Sequence, residues 1–254
     1  MIAAVLVAAA LGAAPGCGLP PLASGERPWR TGEALGYDLD VLGIVKAGTL
    51  QLAVERPMSG GKVIPLRARA RTTSAIANVK PFAGVALSWI DAGTLLPERA
   101  RDEAEEGGVH KMSDTRLAPA GAEVVIEYRY GDKAGKTAYP REREVLDALS
   151  TVYYPRAARL APGERFCFDL VANRRFWRLE GTVAARTERV ETPAGRFETL
   201  RVDATTRRVD RPADRPRPVH FWLGTDARRL LVAIVSEIDL GPVSATLSSI
   251  RGAR

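Results

Sequence analysis

Two cysteines and two histidines in 254 residues leave little from which to build a metal centre or an imidazole-activated nucleophile. No HExxH, CxxC or clustered ligand spacing occurs, so no metal site is expected and no cofactor is implied. A phosphate cradle is missing too. Ser59-Gly60-Gly61-Lys62 lacks the leading glycine and the spacing of a P-loop and fits a hairpin turn. His220 sits beside Phe221 and Trp222 in a strand pattern, where a packed or solvent-facing imidazole is ordinary. Ser150 and Asp147 are three apart on an expected helix, but nothing in the sequence brings His110 or His220 to them. No catalytic residue is therefore assigned, and a hydrolase ranks behind non-enzymatic readings.

The one long apolar run at the N-terminus, Ile2 to Ala14, has the length of a secretory h-region and falls short of the roughly 20 residues that span a bilayer. Its n-region carries no Lys or Arg. Ala14-Pro15-Gly16-Cys17 looks like a lipobox, the site at which bacterial lipoprotein precursors are cleaved and acylated, although Ala14 stands where Leu is common and Pro15 follows it. Two outcomes stay open. Acylation at Cys17 would tether the domain to a membrane, whereas ordinary cleavage between Ala14 and Ser24 would leave it free in the periplasm. Either way the protein is expected to be exported.

Residues 1–17 are thus read as a signal segment, 18–30 as a Pro- and Gly-rich linker and 31–251 as one β domain. With Cys17 acylated or removed, Cys167 would stand alone as a partly buried thiol, and no disulfide framework is expected.

The formal charge of +7 and pI near 9.7 suit an anionic partner but do not choose one, because the preference for Arg over Lys, with much Ala, Gly and Pro, is also what a GC-rich genome produces. Nucleic acid is not expected outside the cytoplasm. A charged fraction of 26% beside a hydrophobic fraction of 46% is that of a soluble, folding chain.

Period-two alternation dominates the rest of the chain. Leu35, Tyr37, Leu39 and Val41 alternate with polar or small residues, a turn at 43–48 comes next, and Leu50, Leu52 and Val54 alternate again. From Val63 to Thr73, Arg67, Arg69 and Arg71 share one face and Leu66, Ala68 and Ala70 the other. A helical turn is expected over 74–81, ended by Pro81, before a strand from Val85 to Asp91. Glu98 to Glu106 fits a charged helix or a solvated β ribbon, the ribbon being preferred, and Glu123 to Tyr130 reads as a strand followed by a turn over 131–136. The main helix is expected over 142–159, where Val145, Leu146, Leu149, Val152 and Tyr153 follow helical spacing. Short strands recur from Arg165 to the end, interrupted by an exposed Arg- and Pro-rich loop over 207–218.

Several segments together resemble the domain-of-unknown-function family 3108 of bacterial envelope proteins. They are GEALGYD from Gly32 to Asp38 with Lys46-Ala47-Gly48, DALSTVYYPR from Asp147 to Arg156, TPAGRFET from Thr192 to Thr199, FWLGTDARRL from Phe221 to Leu230, and Leu240-Gly241-Pro242-Val243. Leu230-Leu231 departs from the family, which usually has a proline there. The resemblance implies an exported, mainly β protein, a single antiparallel curled sheet or incomplete barrel with one helix packed on it, and no established reaction.

The function expected is a non-enzymatic envelope protein that holds a lipid or other amphipathic ligand on its curved sheet. The alternative is a glycan- or peptidoglycan-binding or protein-scaffolding module. Tyr153, Tyr154 and Arg156 at the helix end, with Trp89 and Trp222, are the candidate ligand contacts, because aromatic rings beside a guanidinium accept sugar faces, acyl chains or anionic headgroups.

Overall fold

The computed structural model describes residues 17–252 apart from 42, 44, 78–80, 118–122, 239 and 240. Residues 1–16 of the expected signal segment 1–17, most of the second half of the 74–81 turn and Leu240 of the closing family segment lie outside them. The first half of the chain forms β1 (Ala34–Val41), β2 (Val45–Val54), β3 (Val63–Thr72), the single turn α1 (Ser74–Ala77), β4 (Phe82–Asp91), β5 (Pro97–Glu106), β6 (Val109–Arg116), β7 (Glu123–Tyr130) and β8 (Lys133–Pro140). The second half forms β9 (Val145–Asp147), α2 (Ser150–Ala157), β10 (Arg165–Ala172), β11 (Arg175–Thr192), β12 (Gly195–Arg208), β13 (Arg217–Gly224), β14 (Leu231–Ile238) and β15 (Gly241–Arg251). No helix among the described residues is long and apolar enough to cross a membrane.

Among the described residues fifteen strands join one sheet in the order β8-β7-β6-β5-β4-β3-β2-β1-β15-β14-β13-β12-β11-β10-β9. Two meanders therefore spread from a central seam where the first strand pairs with the last, Leu35 opposite Ile250 and Leu39 opposite Ala245. Every pairing is antiparallel except β9 with β10. The two edges of the sheet, β8 and β9, are joined by only residues 141–144. Such a link reaches at most about 18 Å, so the sheet has to curl until its edges meet.

They meet by overlap rather than by hydrogen bonding. On the inner face Leu35, Leu52 and Ala68 lie in one cross-strand row and pack with Phe168, Phe221, Val202 and the residues of α2 into the main core. Strands β9 and β10 then slide beneath β4–β7, and their second face supplies Val145 and Val171, which with Phe176 meet Leu117, Val124 and Ile126 in a smaller core.

The expected helix over 142–159 is replaced by strand β9, a turn, and α2 alone. Val145, Leu146 and Asp147 pair in parallel with Asp169, Leu170 and Val171, so tertiary pairing claims apolar residues whose spacing also suits a helix. The Asp147 side chain accepts from Leu149 N at 2.7 Å and Ser150 N at 3.1 Å, which starts the helix there. The turn expected over 131–136 is confined to Gly131 and Asp132, and the residues after it form β8. The Arg- and Pro-rich loop is shorter than expected, because Arg207 and Arg208 end β12 while Arg217 and Pro218 open β13.

The segment expected to be a linker is instead a strap laid over α2. Gly18 bridges Cys167, Leu22 bridges Ala158, Ala23 N donates to Ala157 O at 2.8 Å, and Arg159 N donates to Pro21 O at 2.8 Å. Cys167 is not solitary either, since it is disulfide-bonded to Cys17 across 150 residues of sequence. No counting of cysteines could show that pairing, which depends on the strap folding back.

At the end of the strap lies a fully buried ion pair. Arg156 donates to Glu33 through both terminal nitrogens, at 2.6 and 2.9 Å, and to the Arg229 and Arg228 carbonyls at 3.2 and 3.1 Å. Its guanidinium also stands over the rings of Trp29, at 5.3 Å, and Tyr153, at 5.2 Å. One side chain thus ties the strap, β1, α2 and the β13–β14 loop together. Removing one charge would leave the other buried and unpaired, which costs far more than replacing both by apolar groups. Arg156→Met should lower the unfolding free energy by about 3–5 kcal/mol, and adding Glu33→Leu should recover much of that loss in urea denaturation.

Candidate functional site

The outer face of the first meander carries a groove of about 960 Å³. Its walls result directly from strand register. Gln51, Arg69, Val85 and Glu103 form one cross-strand row, and Thr49, Arg71, Ala83, Glu105 and His110 the next. Each arginine is therefore two strands from a glutamate, about 10 Å at the backbone, with Val85 or Ala83 between them. The groove has a cationic bank on β3, an acidic bank on β5 and a small apolar floor.

Beyond β1, Ser248, Ser249 and Arg251 of β15 continue the lining. Gly36 lies at that seam, where a bulge separates it from Tyr37 and a Cβ would meet the Ser249 hydroxyl, which would have to turn aside. On the acidic bank His110 Nε2 lies 3.1 Å from Glu103 Oε1, so the imidazole is held by the carboxylate. Arg69 and Arg71 are exposed. Their neighbour Arg67 is half-buried and paired with Glu55.

The residues singled out from sequence lie elsewhere. Tyr153, Tyr154 and Arg156 are packed into the main core, Arg156 completely, rather than displayed at the surface. Amphipathic side chains there pack against the strap instead: the Tyr154 hydroxyl donates to Pro20 O at 3.0 Å. Trp89 and Trp222 share the outer face but belong to different meanders, and neither lines the groove. The Arg99 guanidinium stands 5.5 Å from the Trp89 ring, and Trp222 Nε1 donates to Glu188. Cys17, the candidate lipid-attachment residue, has its sulfur in the disulfide with Cys167.

Each of the two histidines lies beside a carboxylate. His220 Nδ1 is 2.6 Å from Asp203 Oδ1 on the outer face of the second meander, and His110 bonds Glu103 on the first. Ser150 is buried beside Asp147, receiving the Asp147 N–H at 2.8 Å. Among the described residues no group of three or more His, Cys, Asp or Glu side chains is placed to hold a metal. The groove itself was half visible in the sequence, since Arg67-x-Arg69-x-Arg71 declares a cationic strand face. The acidic bank was read only as a charged ribbon, and alternation at Glu103-x-Glu105 was the signal that it faces one way.

A family described as protein of unknown function (DUF3108) matches residues 36–248. No curated protein matches the chain. A β-barrel-like DUF1849 protein from Brucella abortus is similar in structure, with a TM-score of 0.57 at 10% identity over 88% of this chain and 98% of that one. A protein of YmcC-like fold from Bacteroides fragilis reaches 0.38 at 10% identity, over 92% of this chain and all of that one. The first likeness speaks to the fold alone, and the second is too slight to add to it.

Asp147 offers a pH test of the turn that replaces the expected helix start. Burial raises its carboxyl above the usual range, against the opposing hydrogen bonds from Ser88 and Ser150. The native state then holds its proton to higher pH than the unfolded chain does. The neutral form's contribution to stability is complete below the unfolded value near 3.8 and is lost as pH rises through the raised native value. Asp147→Asn should gain stability relative to the unmodified protein as pH rises through that window, read as a growing difference in urea midpoint.

Proposed function

The chain belongs to the DUF3108 family, and from that starting point we propose that it is a non-enzymatic module of the cell envelope that binds a polar, charged glycan or wall fragment in its outer-face groove. The observation that carries this reading is the pairing of an arginine bank with a glutamate bank across a small apolar floor. Such a groove suits a ligand with carboxylates on one side and amino groups on the other, as wall glycopeptides have. Guanidinium groups add planar, two-pronged recognition of carboxylates.

Location outside the cytoplasm is supported by the apolar N-terminal run and by a disulfide, a bond that persists in oxidising compartments. The acyl-chain reading is weaker. Its ligand needs an apolar space inside the curl, whereas the inner positions Leu35, Leu52, Leu66 and Phe168 are buried against other side chains.

Purified insoluble wall material should retain the protein at low salt and release it as salt rises. Arg69→Glu combined with Arg71→Glu should reduce retention at least tenfold, because both side chains are exposed and their reversal leaves the core intact. Arg215→Glu, in the loop between β12 and β13, should have little effect. Equal retention of the groove variant would overturn the assignment.

A further inference from the structure

We propose that Cys17 is the covalent clasp of the fold and not a lipid anchor. The Cys17 and Cys167 Cα atoms are 4.7 Å apart, within the range of a disulfide, and both sulfurs are committed to it. Acylation of a lipoprotein cysteine makes a thioether on the same sulfur, so one chain cannot carry both. The backbone around the cysteine is also part of the wall: Gly18 bridges Cys167, and Arg143 donates to the Cys17 carbonyl at 3.3 Å.

A second, independent observation points the same way. A lipid anchor needs slack between membrane and domain, and residues 18–30 would have to provide it. They are consumed by the strap. Pairing starts at Gly18 and continues through Leu22 and Ala23 on α2, and Arg27 donates to the Gly93 carbonyl at 2.7 Å on the far side. Arg156, whose ion pair lies under the strap, also donates to Pro28 O at 3.4 Å. The clasp therefore holds the strap over the helix that carries the buried charge.

Closing it is an oxidation. Cys17 and Cys167 give up two electrons and two protons to a disulfide-bearing oxidant, which leaves as its dithiol through a mixed-disulfide intermediate. The partner implied is a thiol–disulfide exchange protein or small disulfide outside the cytoplasm.

The test is peptide mapping of the full chain produced from its own start in a bacterium that processes lipoproteins, with free thiols alkylated before any reduction. The expected result is a linked pair of peptides carrying Cys17 and Cys167, separating with the gain of two hydrogens on reduction. A diacylglyceryl thioether on Cys17, or both cysteines alkylated before reduction, would overturn the proposal. Cys167→Ser should expose residues 17–33 to protease at least tenfold faster while circular dichroism of the sheet is kept. A strap as resistant as in the unmodified protein would refute the clasp role.

Discussion

Four residues between β8 and β9 govern the architecture. A sheet of two meanders could lie open, but its opposite edges are consecutive in sequence, and a short link forbids that. Once the sheet has curled, its edges overlap rather than pair. The overlap is why β9 and β10 are buried on two faces, why a second core exists, and why α2 emerges inside the curl. Tyr139 stacking on Phe176 and Arg174 standing over the Tyr128 and Tyr130 rings draw the same two edges together.

Within the space so enclosed, charge is held where a carboxylate and several carbonyls converge on it. Arg156 reaches Glu33 and the Arg228, Arg229 and Pro28 carbonyls, while its flat faces meet aromatic rings. Desolvation raises the neighbouring Tyr37 and Tyr153 hydroxyls far above their ordinary range, so neither ionises near neutrality. Such an arrangement contributes little net stability over a hydrophobic substitute, but it fixes which segments meet.

Alternation made most strands readable. Leu66 and Ala68 are buried and Arg69 and Arg71 exposed, as alternation along β3 predicted, while Ala70 and Arg67 are both half-buried; the resemblance from Gly32 to Val243 predicted the curl. What escaped was decided by contacts distant in sequence. Val145 and Leu146 fit a helix until β10 arrives beside them, and Lys133 to Pro140 has too little hydrophobic contrast to announce a strand without β7 as its partner. Tyr153, Tyr154 and Arg156 looked like a surface because their chemistry suits one, and only the strap shows that they are covered. The groove needed strand order, since Arg69 and Glu103 become opposite banks only when β4 lies between β3 and β5.

The central seam has a temporal meaning. Leu35 on β1 is wholly buried, yet one of its neighbours in the sheet, Ile250, stands 215 residues further along the chain. A chain emerging from its N-terminus must hold β1 with an open edge until β15 arrives, and contacts of such long separation make folding slow. During that interval the unfinished first meander is the species most exposed to self-association.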